Sequence, residues 1–166
     1  MHLTQFSDYA MRTVLYLASR GDGDRLASVE EISRAYRISR HHLVRVAQTL
    51  TELGIVTAQR GRGGGLKLAK APSEVNVGWL VRRTEPNFHI VECFRPETNT
   101  CPIASACGLK GALIRAREAF LAVLDEYTLE QFLTTRSEMV ALFDAALKAE
   151  PPTPTEPEAE SKPEAD

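Results

Sequence analysis

Apolar side chains recur along this chain at three- and four-residue steps in several separate runs, and each run has its own start and stop signals. Leu3, Phe6, Ala10, Val14 and Leu17 predict an amphipathic helix over residues 4 to 20, ended by Gly21 and Gly23. Ser28 and Glu31 have the spacing of a capping box, with Ala27 and Ile32 as its apolar staple, so a short second helix starts at Val29. Arg37 to Ser39 makes a tight connection. Ser39 can cap a third helix whose buried stripe is Leu43, Val46, Ala47, Leu50 and Leu53, with Gly54 as its left-handed terminator. Two short apolar runs, 55–58 and 66–69, flank Gln59-Arg60-Gly61-Arg62-Gly63-Gly64-Gly65, which reads as a β-hairpin with a cationic tip. Ser73 can cap a fourth helix containing Val77, Trp79, Leu80 and Val81 before Pro86 breaks the pattern.

The order helix, helix, turn, helix, hairpin is that of a winged helix-turn-helix, so the fold class is mainly α with one small β-hairpin. Residues 1–85 are expected to form that DNA-binding domain. Residues 86–108 carry Pro86, Pro96 and Pro102 with no sustained period and read as a loop. Beyond it Leu109, Leu113, Ala116, Phe120, Val123 and Tyr127 keep an alternating four-three spacing, an a/d seam that a monomer would leave uncovered. Thr128 and Gln131 form another capping box, and Met139, Val140, Phe143 and Leu147 predict one further helix. Residues 109–149 are thus expected to supply dimerization helices to a homodimer.

Composition places the chain among ordinary globular proteins, with 43% apolar and 25% charged residues, which excludes a collagen-like or wholly disordered chain. The longest uncharged stretch is only Thr98 to Leu109, so neither a membrane span nor a secretory apolar region is expected, and the cytosol is the expected compartment. The net charge of −2 conceals an asymmetry. Residues 150–166 hold six acids against Lys162, a net −5, which leaves +3 on residues 1–149. That segment is also rich in proline and is read as a disordered acidic tail. Arg37 to Lys70 carries seven cations against Glu52 alone, a local +6 that suits a polyanion partner.

Two groups of residues carry candidate chemistry. Arg40, His41, His42 and Arg45 sit near the start of the third helix, the end that enters a major groove in helix-turn-helix proteins, with Ser28 and Ser39 at the adjoining helix starts. A solvated basic helix face is the alternative for that cluster alone. Arg60 and Arg62 interleaved with glycines decide for double-stranded DNA, because the glycines let a cationic backbone approach a phosphate or a narrow minor groove. The second group is Cys93, Cys101 and Cys107, spaced unlike the paired ligands of a zinc knuckle. Three thiolates in one loop can converge on zinc or an iron–sulfur cluster, form a redox disulfide with one spare thiol, or be unrelated buried thiols. No H-E-x-x-H, G-x-S-x-G, P-loop or H-x-E motif accompanies them, so an enzyme is not expected.

The stretches Leu3-Thr4-Gln5-Phe6-Ser7-Asp8-Tyr9-Ala10-Met11-Arg12, His41 to Val46, Gly61 to Leu66, Thr100-Cys101-Pro102 and Leu109 to Leu113 together resemble the Rrf-two family of winged-helix regulators. The resemblance covers residues 1 to 135 and is greatest to the nitric-oxide-sensing iron–sulfur repressors of that family. It implies a 4Fe-4S or 2Fe-2S cluster held by Cys93, Cys101 and Cys107 in a homodimer crossed by its C-terminal helices. Asp8 matches the position whose carboxylate, from the partner subunit, supplies a further ligand in some members. The alternative for Asp8 is an i,i+4 ion pair with Arg12. Members that sense cluster biogenesis carry a histidine three residues after the last cysteine, where this chain has Lys110. The spacing between the first two cysteines is longer than is usual in the family. Two further readings stay open: a winged-helix regulator with a thiol or zinc switch, and an electron-transfer protein without DNA activity.

Overall fold

A computed structural model of the protein describes residues 2–21 and 25–149. Gly23 and the acidic segment 150–166, with the disorder expected of it, lie outside the described residues. Helix α1 spans Gln5–Arg20, started by the Thr4 hydroxyl, which accepts from the Ser7 N–H at 3.3 Å. Its apolar stripe of Ala10, Val14 and Leu17 is buried, as the spacing predicts. Helix α2, Val29–Tyr36, is capped by Ser28, whose Oγ accepts from Glu31 N at 3.0 Å. Only that half of the capping box forms. The Glu31 carboxylate instead accepts from Tyr16 Oη and Arg25 Nη2, each at 2.7 Å.

Arg37 takes the left-handed conformation (φ 56°) that turns the chain between the two helices of the reader motif. Ser33 closes the turn, its Oγ donating to the Ile38 carbonyl at 2.6 Å and its own carbonyl accepting the Ile38 N–H at 3.1 Å. Helix α3 follows as Arg40–Glu52 and buries Leu43, Val46, Ala47 and Leu50. Ser39 sits at its N-cap without a side-chain cap bond, which corrects the capping role expected of it: ψ is 129° there and the helix opens without a side-chain acceptor. At the other end Gly54 has φ +67°, and Ile55 N and Gly54 N donate to the carbonyls of Leu50 and Thr51, a Schellman closure.

Strands β1, Val56–Gln59, and β2, Gly65–Leu68, pair antiparallel with Val56 opposite Leu68 and Gln59 opposite Gly65. Leu66 also exchanges backbone bonds with Ala27 at 2.8 and 2.9 Å, which fastens the hairpin to the chain just before α2. The helix predicted after it, α4, spans Val77–Thr84, and its cap is Asn76 rather than Ser73. Pro72 starts a short 3-10 turn, Pro72–Glu74, that absorbs Ser73, while Asn76 Oδ1 accepts from Trp79 N at 2.8 Å.

Helix α5, Gly108–Asp125, buries only Leu121. Its C-terminal end is held to α4: Arg82 makes a bidentate pair with Asp125, and Asn76 Nδ2 donates to the Asp125 carbonyl at 2.7 Å. A Cβ at Gly78 would run into Asp125, so the close approach of α4 and α5 needs glycine there. Helix α6, Arg136–Lys148, packs back on α2 and α1. Phe143 lies 4.8 Å from the ring of Tyr16 and 5.2 Å from that of Tyr36, and burial pushes both phenols up to about 12. Arg136 donates to the carbonyls of Ser19 and Gly21, and Arg34 of α2 to that of Leu147 at 2.6 Å. The core therefore centres on α1 to α4, with Val14, Leu50 and Leu80 all fully enclosed. No described helix is long and apolar enough to cross a membrane.

Candidate DNA interface and cysteine loop

The burial of Leu43, Val46 and Leu50 turns the opposite side of α3 outward, and Arg40, His41, Arg45 and Gln48 are exposed there. Arg40 lies 3.8 Å from Glu30, a loose surface pair that water screens. His42 is also exposed but stacks on Tyr9 of α1, with ring centroids 5.9 Å apart, so it joins the recognition helix to α1. Ser28 is exposed at the start of α2 with its hydroxyl committed to the cap, and Ser39 is exposed with its hydroxyl uncommitted to the helix start.

Arg60 and Arg62 sit in the five-residue tip between β1 and β2, both exposed. The tip depends on its glycines. Gly61 and Gly63 have φ of +99° and +79°, and a Cβ on Gly64 would collide with the Gln59 carbonyl. Between α3 and the hairpin runs a groove of about 480 Å³ lined in part by Val44, Gln48, Thr51, Gln59 and Arg60. Gln48 and Gln59 were not among the residues singled out from the sequence. Gln48 continues the outward spacing of His41, Val44 and Arg45, and that signal was present in the chain.

Asp8 lies in the first turn of α1, where Arg12 Nε donates to its Oδ1 at 2.9 Å and Arg12 Nη2 approaches its Oδ2 at 2.8 Å. The hydrogen bond to Asp8 raises the pKa of Arg12 above the ordinary guanidinium value. Within one chain the carboxylate is therefore engaged by its i+4 neighbour. The guanidinium of Arg12 also lies 5.8 Å from the centre of the Tyr36 ring.

Cys93, Cys101 and Cys107 are all free and half-buried. Cys93 lies in the 3-10 turn Glu92–Phe94, and Cys107 is the N-cap residue of α5. The Glu92 carboxylate accepts from Thr100 N at 2.7 Å and Thr100 Oγ1 at 2.8 Å, which ties the neighbours of Cys93 and Cys101 to each other. Those two bonds hold the Glu92 carboxyl below its ordinary range. Among the described residues, however, no three His, Cys, Asp or Glu side chains are grouped closely enough to hold a metal ion. The donor chemistry fits an iron–sulfur cluster, three soft thiol ligands with none lost to a disulfide, while the loop of the single chain presents them separately.

The Rrf2 (Rrf-two) family profile, described as an iron-dependent transcriptional regulator, matches residues 3–135. The chain belongs to the Rrf2 family. Among its Rrf2 relatives, the HTH-type transcriptional regulator NsrR of Halalkalibacterium halodurans is 46% identical over 86% of this chain and 97% of its own length. NsrR of Bacillus subtilis is 42% identical over the same shares. Two solved Rrf2-like structures share the fold. CymR, the global cysteine regulator of B. subtilis, matches with a TM-score of 0.63 at 24% identity, covering 81% of this chain and 98% of CymR. IscR of T. potens matches with a TM-score of 0.65 at 22% identity, covering 83% of this chain and 90% of IscR. Family membership and the fold make the chain a winged-helix transcriptional regulator.

Proposed function

We propose that this Rrf2 protein is an iron–sulfur-dependent repressor that senses nitric oxide and leaves its operator when its cluster reacts. The observation that carries this reading is three free, half-buried thiols on one loop, in a chain 40–46% identical to regulators named NsrR. Residues 1–85 read DNA, residues 86–108 hold the cluster through Cys93, Cys101 and Cys107, and the exposed seam of α5 pairs with its counterpart in a homodimer. The partner subunit's Asp8 supplies the fourth ligand, 4Fe-4S being the preferred cluster and 2Fe-2S the alternative. When bound, the cluster supplies iron that reacts with nitric oxide.

The chain's own residues do the rest. No regular element longer than one turn lies between α4 and α5, so residues 86–107 can draw their thiols together. Asp8 must leave Arg12 to reach a partner's loop, and Arg12 is then freed toward Tyr36. The Tyr9–His42 stack carries a shift of α1 to the reading face of α3. Dimer symmetry sets the two copies of α3 about 34–36 Å apart, one turn of DNA, with Arg40, His41, Arg45 and Gln48 toward base edges. Arg60 and Arg62 reach the flanking minor groove. Loss of the Asp8 tie changes that spacing, which is the two-state element a switch requires.

The test is iron and acid-labile sulfide per chain on protein purified without oxygen. Equal iron and sulfide is the expected result, with less cluster retained in Asp8→Ala at unchanged dimer content. Zinc, or no metal, contradicts the cluster and leaves a winged-helix regulator with a zinc or thiol switch.

A further inference from the structure

We infer that the acidic segment 150–166 docks on the basic reading face of its own chain and competes there with DNA. The inference rests on the DNA-reading role of α3 and the hairpin and adds a ligand for that surface within the same polypeptide. The segment carries Glu150, Glu156, Glu158, Glu160, Glu164 and Asp166 against Lys162 alone. Opposite in sign is the stretch Arg37–Lys70, at +6.

The arginines of that face are available. Arg37, Arg45, Arg60 and Arg62 are exposed and have no carboxylate partner among the described residues, and Arg40 has only the loose contact with Glu30. Several cations elsewhere are engaged: Arg82 holds Asp125, Arg12 holds Asp8, Arg25 holds Glu31, and Arg83 lies 5.4 Å from the centre of the Trp79 ring.

The exit point of the chain brings the two together. Helix α6 ends at Lys148, and its last turn is fastened to α2 by the bond from Arg34 to the Leu147 carbonyl. Arg34 precedes Arg40 by six residues, so the two are at most about 20 Å apart. At roughly 3.1 Å per residue for a proline-rich chain, Glu156 reaches ~20 Å from Ala149 and Asp166 about 50 Å. The stretch Glu156–Asp166 is therefore long enough to reach the start of α3. Each exposed ion pair is weak, but a tether of this length holds the acids near the face at millimolar effective concentration. Phosphate-only contacts to random DNA are opposed most, because they use the same cations. An operator adds base contacts that the acids cannot imitate, so the segment raises the ratio of specific to non-specific binding.

The test compares the full chain, a variant with all six acids neutralised (E150Q, E156Q, E158Q, E160Q, E164Q, D166N), and a chain ending at Ala149. Each is titrated with a short random-sequence duplex by fluorescence anisotropy, and backbone amide spectra are compared without DNA. Both variants are expected to bind the duplex about 5–10-fold more tightly at ~50 mM salt, the gap closing to about twofold at ~300 mM. Neutralisation is also expected to shift the amides of Arg37–Arg45 and of the wing tip. Equal affinities at low salt, or shifts confined to other surfaces, overturn the inference. Failure of all three chains to bind any duplex contradicts the DNA-reading role instead, and the amide shifts then decide the docking alone.

Discussion

Ala10, Val14 and Leu17 of α1 and Leu109, Leu113, Ala116, Phe120 and Val123 of α5 recur at the same three- and four-residue steps. The first three are at most 5% exposed, whereas Leu109 is 66% and Val123 52% exposed. The stripe of α1 meets α3 and α4 of its own chain, whereas α5 meets α4 near its Asp125 end and sets Arg117 against the Phe94 ring, leaving Leu109 and Val123 of its seam exposed. An apolar period thus says that a helix has a partner, not where that partner is. In the reader unit the partner lies within the chain. For α5 the uncovered seam is what a second copy would bury.

The contrast is broken first by core substitutions. Leu50→Ala, at a fully enclosed position, is expected to cost about 2–5 kcal/mol in urea unfolding. Leu109→Glu with Val123→Glu is expected instead to convert dimer to monomer in sedimentation while the monomeric reader unit keeps its circular dichroism. An equal loss of reader-unit stability from both would erase the distinction between the two regions.

A second prediction sharpens the role of the wing. Arg60→Ala with Arg62→Ala is expected to weaken duplex binding about tenfold to a hundredfold and to lower the salt slope by about 1–2, with unfolding unchanged. An unchanged slope would remove the wing from the interface. Smaller effects separate the two helix starts of the reader motif. Ser28→Ala is expected to cost about 1 kcal/mol in urea unfolding through the lost bond to Glu31 N. Ser39→Ala is expected to cost no more than a few tenths, because its hydroxyl makes no cap bond.

The smallest effect is a titration. The hydrogen bond from Arg82 holds the Asp125 carboxyl below its ordinary value. Its folded-state pKa is depressed, so the contribution of this contact is present above the unfolded value of about 4 and is lost as pH falls through the folded value. Carboxyl carbon NMR of Asp125 should show the depressed midpoint, and Arg82→Gln should return it to the ordinary range.

Much of the reader unit was legible because its signals are local. Ser28 marks the start of α2, Gly54 the end of α3, and the glycines of the tip turn the hairpin, each through backbone chemistry within a few residues. The misplaced cap of α4 shows the limit: Ser73 and Asn76 are both capping residues, and Pro72 diverts the first into a 3-10 turn. The Glu31 half of the α2 capping box was lost to Tyr16, fifteen residues away. The docking of α6 on α2 had no local signal at all, since it rests on a bond between Arg34 and Leu147, 113 residues apart, and on the meeting of Phe143 with two tyrosines. The cysteines were legible as candidate ligands. How they assemble was not, because residues 86–107 have little periodic structure of their own.

Control of DNA binding through the cysteine loop is tested most directly by titrating nitric oxide, without oxygen, into the anaerobically purified protein bound to a duplex selected from random sequence. The account predicts release of the duplex within a few equivalents per chain, and Cys93→Ser, Cys101→Ser or Cys107→Ser protein that holds the duplex poorly before any nitric oxide is added. Unaltered binding by the unsubstituted protein throughout, or serine variants that hold the duplex as tightly as it does before the titration, would contradict it.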